Sequence, residues 1–282
     1  MADKYGNLVR TLDYRQGRGG ANAKELVFVN GEQLGGFELN FIVGVYDTVG
    51  DWAPNRGAHT HTFDELLLFF GYNPEDMNYL GADLSLCVGP EYEKHYLSKP
   101  SVVAAPAGSA HCPLVTEKVY DRFGHFHLAL SATYSGAQCP QEGTTDGHKY
   151  DGVFHDMVAT AGPGGADAVQ SVHWDGTHLE GFPINFTMSL HNQAGKLGKG
   201  PHVHPYDEVY IFFGHKTDEL GYLGAELTIE LGGEHEKHTF DVPTAVSIPR
   251  GLPHFPLTCD RVDAPYRIMN VGLASVYKEE AV

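Results

Sequence analysis

Positive charge is scarce in this sequence. Lys and Arg number 19 against 36 Asp and Glu, a formal charge of −17 over 282 residues. Such a surface repels polyphosphate backbones and anionic bilayers, so no nucleic-acid partner is expected. Long hydrophobic runs are missing too. The apolar stretch 66–70 falls far short of the ~20 residues that a membrane-spanning helix requires, so no membrane partner is expected. The opening MADKYGNLVR has no apolar core and is read as lacking a signal peptide. Cysteines are few, and Cys87, Cys112, Cys139 and Cys259 show no Cys-x-x-Cys spacing. They frame neither a disulfide scaffold nor a zinc knot, and a reducing cytoplasm is the expected location.

Glycine (34), proline (16) and histidine (17) are plentiful. The first two suit many short strands joined by turns. The histidines direct attention to metal or proton chemistry.

An internal repeat sets the architecture. Residues 59–114 align without a gap on 202–257 at an offset of 143, with 24 of 56 positions identical. Downstream, Leu130 and Tyr134 fall on Leu273 and Tyr277. Upstream the offset is 145, pairing Lys4-Tyr5 with Lys149-Tyr150, Gly31 with Gly176 and Asn40-Phe41 with Asn185-Phe186. The chain therefore reads as two homologous domains, 1–138 and 145–282, joined by the polar stretch 135–148. Strands are predicted at 37–45, 66–70, 82–87, 101–105 and 125–130, and again at 182–190, 209–213, 225–231, 245–248 and 266–273. Each is bounded by Gly, Pro, Asn or Asp. No long amphipathic helical period occurs, so the class is all-β, a sandwich or barrel in each half.

Within the repeat, His59, His61, Glu65 and His111 correspond to His202, His204, Glu208 and His254. Side chains alternate along a strand, so the two histidines of each His-x-His share a face. The glutamate cannot continue the same straight strand. It would lie ~13 Å away at ~3.3 Å per residue. The chain must turn at 62–64 and 205–207, where Pro205 supports a break. The next strand then begins with the glutamate pointing inward, and Glu208, Tyr210 and Phe212 share its face. Three neutral imidazoles and a carboxylate suit Mn, Fe, Co, Ni or Zn.

This pattern resembles the cupin superfamily. Its first motif carries His-x-His followed by Glu, matched at 59–65 and 202–208. Its second carries Pro-x-Gly-x-x-His, matched at 106–111 and 249–254. The resemblance covers both halves and implies a bicupin, two tandem jelly-roll barrels with the eight residues above as metal ligands. Two departures concern loops: Ala53 and Lys196 stand where the family motif has glycine, as do Pro100 and Pro243.

Other residues carry weaker expectations. His127 alternates with His125 along a strand and could be a general acid or base beside the metal. Arg250 precedes His254 by four residues and could bind a carboxylate. Cys112 is expected to point away from the face of His111. The repeated EYEKH (91–95) and EHEKH (234–238) read as charged hairpins, and Asn40 and Asn185 as amides that fix a loop or a metal ligand or else contact substrate.

The bicupin resemblance implies a metal-dependent enzyme of polyphenol-type catabolism acting on a small oxygenated organic substrate. The expected reaction is hydrolytic carbon–carbon cleavage of a 1,3-diketone or its enol, such as dihydrophloroglucinol. The expected cofactor is Mn or Fe, with Ni or Zn also suited, up to two ions per chain. A Fe-, Mn- or Ni-dependent dioxygenase, a decarboxylase and a non-catalytic ligand-binding cupin are the alternatives. The resemblance also implies a homo-oligomer.

Overall fold

A computed structural model describes residues 3–16, 22–53, 57–140, 147–160, 168–179, 181–198 and 200–282. The connector expected at 135–148 lies partly outside them. The chain forms two compact units, and no single cut separates them. Met1–Asp13 and Glu32–Phe37 belong with Ala159–Val282, whereas Tyr14–Gly31 belongs with Glu38–Val158. These units group the first residues of the chain and the segment up to residue 158 differently from the repeat bounds 1–138 and 145–282.

Each unit is two antiparallel sheets. In the unit built around residues 38–158, one sheet has the order Phe154–Asp156, Ser101–Ala105, Glu65–Gly71, Phe123–Ala129, Asn40–Tyr46, Ala23–Val29, Asp13–Gln16. The other runs Ala137–Gln138, His59–Thr60, His111–Val119, Ala82–Val88, Glu93–Leu97, with Gly50–Asp51 added on His111–Val119. The inner faces meet in a core that includes Leu67 and Phe69 from the first sheet and Leu84, Leu86 and Leu114 from the second. The other unit repeats the plan. Val9–Thr11, Thr244–Ile248, Glu208–Gly214, Tyr266–Gly272, Asn185–His191 and Gln170–Trp174 form one sheet. Its core takes in Tyr210 and Phe212, as their shared face required. All ten predicted strands are present, with ends shifted by up to three residues. No helix among the described residues is long and apolar enough to cross a membrane.

Gly71 and Gly214 end the glutamate strands for a steric reason. A Cβ at either would run into a crossing backbone carbonyl, that of Tyr79 or Tyr222. Asn40 and Asn185 fix loops, each donating its side-chain amide over 2.8 Å to a carbonyl, Ser131 or Ala274.

The repeated acidic hairpins turn out to be docking points. Lys149 and Tyr150 both reach the Glu91 carboxylate, over 2.7 and 2.8 Å. Their backbone N–H groups donate to Glu93, over 3.2 and 3.1 Å. This holds the strand Phe154–Asp156 on the open edge of Ser101–Ala105. Lys4 and Tyr5 do the same with Glu234 and Glu236, which seats Val9–Thr11 on the edge of Thr244–Ile248. Each sheet edge is thus closed by residues that belong, by sequence repeat, to the other copy. Covering an edge removes a row of unpaired backbone groups.

Glu93 is buried, which disfavours its charge. The Tyr150 and Lys149 N–H groups and His95 nonetheless hold its carboxyl below the usual range. The depressed folded value means that its contribution is present at neutral pH and fades as pH falls through the carboxylate range. Glu93→Ala strands the two backbone donors and is expected to cost about 1–3 kcal/mol in urea unfolding at pH 7. The difference from the parent protein should shrink toward pH 3. An acid-independent difference would contradict a charged latch.

Candidate metal centres

The two sheets deliver the four expected residues of each copy to one place. His59 pairs directly with His111 across strands, and His202 with His254. His61 and His204 lie just past the short first strand. Glu65 and Glu208 open the next strand, as the turn at 62–64 and 205–207 required. That turn is itself tied down. Asp64 accepts the N–H of Ala107 and Asp207 the N–H of Arg250, both at 2.9 Å.

The imidazoles form nearly superimposable triads. Ring centroids are 4.9, 4.4 and 5.3 Å apart for His59–His61, His59–His111 and His61–His111. In the second copy the corresponding values are 4.9, 4.3 and 5.2 Å. In each triad, nitrogen atoms that could serve as ligands lie within 4.8 Å of one another.

The hydrogen bonds fix which nitrogen is free. Nδ1 of His61 faces the Ser135 carbonyl at 2.5 Å, and Nδ1 of His204 faces that of Lys278 at 2.6 Å. Nδ1 of His202, His254 and His111 faces the carbonyls of Gly200, Leu252 and Ser109 at 2.9, 3.0 and 3.3 Å. A carbonyl only accepts, so each Nδ1 carries the proton and each Nε2 presents a lone pair. Those lone pairs face carboxylate oxygens. His111 Nε2 is 2.9 Å from Glu65 Oε2, and His254 Nε2 is 3.3 Å from Glu208 Oε2. Both glutamates are fully buried; the Glu208 oxygens have no hydrogen-bond donor among the described residues, while Glu65 Oε1 meets His127 Nε2. The Nε2 atoms of His202, His204 and His254 are equally buried and unpartnered. Acceptors facing acceptors in a buried site need a cation between them. A divalent ion held by three imidazoles and one carboxylate meets that need, and the backbone carbonyls behind the rings supply the usual outer support.

Protonation state agrees with this. Burial and the neighbouring His111 and His61 push His59 down to about 4. Burial disfavours the charge of Glu65, yet His127 and His111 hold its carboxyl well below the usual range. Neutral imidazoles and an ionised carboxylate are the forms that a metal takes.

The copies then diverge. In the first, a cavity of about 390 Å³ opens on the triad, lined among others by Trp52, Leu67, Cys112, Leu114, His125, His127 and Tyr134. In the second, the positions of Trp52, Leu67, Cys112 and His125 are taken by Leu197, Tyr210, Phe255 and Ile268, all of them buried core residues. Phe255 lies 5.1 Å from the His202 ring and 5.5 Å from Tyr210. Aromatic bulk stands where the first copy has space.

His127 does reach the first centre, its Nε2 in close contact with Glu65 Oε1. It therefore acts on the ligand carboxylate. Arg250 is exposed on its turn and contributes a backbone N–H there. Cys112 lines the same cavity as His111, against the strand alternation expected for it. Its φ of 76° and the register shift between His111 and Leu114 break the alternation. Burial, with the charges of Glu65 and Asp51, pushes its thiol up to about 12, so it offers no thiolate at neutral pH. Trp52 was not anticipated. It stacks on Tyr46 at 3.8 Å and donates to Thr116 over 2.7 Å. Tyr134, marked only as a repeated residue, donates to His61 Nε2 over 3.2 Å.

No family model matches the sequence, and no curated protein does. Solved structures do resemble it in fold. A Bacillus subtilis oxalate decarboxylase, described with Mn(II) centres, matches with a TM-score of 0.63 at 10% identity, covering 98% of this chain and 79% of its own. A formate complex of the Lactobacillus farciminis oxalate decarboxylase gives 0.62 at 11% identity, covering 98% and 88%. At that identity the likeness speaks for architecture: the chain has the all-β, two-barrel cupin fold.

Two independent cages predict separable metal loss. Glu65→Gln and Glu208→Gln should each release one ion, with affinity at the altered site falling on the order of 100-fold or more. Elemental analysis of protein purified without added metal checks this. Loss of both ions from either variant, or of none from both, would sink the two-site scheme.

Proposed function

We propose that the protein is a metal-dependent enzyme that hydrolyses a carbon–carbon bond of a small cyclic 1,3-diketone or its enol, dihydrophloroglucinol being the type of substrate, at the first of its two centres. The character of the first cavity carries this reading. It has room for a ring, with indole, leucine and imidazole walls. Its described lining includes no Lys or Arg, so a small dianion would find no counter-charge beyond the ion itself. A neutral, partly apolar ring with oxygens at one edge fits that lining better than oxalate does. The oxalate decarboxylases share the fold, and their Mn(II) favours manganese here.

A bound divalent ion would polarise a carbonyl and lower the pKa of water. The protein supplies the rest. Water adds to one carbonyl carbon and the bond to the carbon between the two carbonyls breaks. The electron pair departs as the enolate of the second carbonyl, which then takes up a proton. The net change is addition of one water, and a cyclic substrate becomes a single open-chain oxo acid. Trp52, Leu67 and Leu114 exclude bulk water, which strengthens every polar contact inside. His127 holds the Glu65 carboxylate, and Tyr134 steadies His61. Decarboxylation of a small dicarboxylic acid, as in the structural neighbours, is the second reading, and their shared fold is what favours it.

Copying the second centre into the first provides a test. Leu67→Tyr with Cys112→Phe should fill the cavity and reduce turnover of 5-hydroxycyclohexane-1,3-dione by at least ~100-fold, through loss of the aligned bound complex, with metal content unchanged. Parent enzyme should form the oxo acid without consuming oxygen. Oxygen uptake would indicate a dioxygenase. Conversion of oxalate to formate and CO2, with no activity on the diketone, would favour the decarboxylase reading.

A further inference from the structure

His125 is the one cavity histidine that belongs to neither metal cage nor carboxylate support. Its ring is clamped, stacked on Phe69 at 4.8 Å and edge-on to Trp52 at 5.2 Å. Nδ1 faces the Leu68 carbonyl at 3.1 Å. A carbonyl accepts only, so Nδ1 carries the proton and Nε2 is a bare acceptor. Burial, with the neighbouring His127, pushes the imidazole down to about 3, so it stays neutral and keeps that lone pair through the physiological range. His125 lines the cavity, and its hydrogen bond to the protein runs through Nδ1. The second copy has Ile268 at this position.

A fixed, uncharged acceptor beside indole and leucine walls can receive a hydrogen bond from a hydroxyl of the guest. A ketone or ether oxygen there would set acceptor against acceptor. We propose that His125 Nε2 is a specificity-determining acceptor that selects guests carrying a neutral hydroxyl on the part of the ring remote from the metal. The inference rests on the reading of the first cavity as the substrate site. It adds to that reading a discrimination between hydroxylated and bare rings. The energetic basis is the cost of leaving a buried polar group unpaired when the hydroxyl is absent.

Two probe pairs test it in the metal-loaded, full-length protein. The first is 5-hydroxycyclohexane-1,3-dione against cyclohexane-1,3-dione, read as kcat/KM. The second is phenol against toluene, read as Kd by titration while the 15N shift of His125 Nε2 is followed. The parent should favour the hydroxylated member of each pair by about three- to tenfold. His125→Ile should erase the preference with metal content unchanged. His125→Gln, which retains an acceptor, should restore part of it. If neither diketone is turned over but phenol is preferred in a His125-dependent manner, the proposed reaction fails and the acceptor role stands. If phenol and toluene bind alike in the parent, or the preference survives in His125→Ile, the acceptor role is overturned whatever the diketones do.

Discussion

A neutral imidazole can give one proton and offer one lone pair, and in this protein backbone carbonyls decide which nitrogen does which. Nδ1 of His61 and His204 is held by the carbonyls of Ser135 and Lys278, which come from the tail of each repeat. Nδ1 of His111, His202 and His254 is held by carbonyls two residues upstream. In the second copy, Nε2 of His204 and of His254 is turned toward the buried Glu208 carboxylate, whose oxygens have no donor among the described residues. Without a cation, each cage confines lone pairs against lone pairs in a medium that screens them poorly. Barrel closure, the turn at Asp64 or Asp207 and the return of the tail all serve to bring those acceptors together. Their mutual repulsion is what a metal relieves.

The cages are alike to about a tenth of an ångström in ring spacing, so the difference between the copies lies around them. Two exchanges in the second copy account for most of it. Tyr210 stands for Leu67 and Phe255 for Cys112, and both rings sit in the hydrophobic core of their unit. Fully burying such rings contributes about 1.5–3 kcal/mol each, so filling that space favours stability at the expense of access. The first copy forgoes this burial and keeps an opening lined by His125, His127 and Trp52. Space beside a metal is costly to maintain in a packed interior, where voids are few. The first centre keeps such a space beside its cage, and core aromatics flank the second.

Much of this was legible in the sequence. The repeat exposed the duplication, and ligand spacing exposed the turn before Glu65 and Glu208. Strand ends fell within three residues, the largest shifts following Gly36 and Gly181, where the strands begin only at Asn40 and Asn185. What escaped was information carried by backbone geometry or by distant pairing. Cys112 shares the cavity with His111 because of a left-handed φ, which strand alternation cannot foresee. Arg250 drew attention as a lone cation near a ligand, yet its backbone, not its guanidinium, is what the turn uses. From the sequence, His125 carried no role of its own; Trp52, Phe69 and the Leu68 carbonyl fix its ring.

The domain boundary was the hardest to read, for a physical reason. The sequence held both halves of the answer in duplicate: Lys4-Tyr5 and Lys149-Tyr150, and the acidic hairpins at 91–95 and 234–238. Each looked complete as a solvated charge cluster. Only pairing shows that Glu93 captures the arm bearing Lys149 and that Glu236 captures the arm bearing Lys4. A cut at the connector would therefore not release two finished barrels. It would strip residues 154–156 from the edge of Ser101–Ala105 and residues 9–11 from the edge of Thr244–Ile248. Bare strand edges are templates for unwanted pairing, and each arm covers one with ladder hydrogen bonds while its Lys and Tyr occupy the carboxylates beyond. The strand Ser101–Ala105 also pairs with Glu65–Gly71, its last residue Ala105 lying opposite Glu65 itself. Each metal cage therefore stands one strand away from an edge that the other repeat's arm has closed, and the integrity of either site depends on residues outside its own repeat.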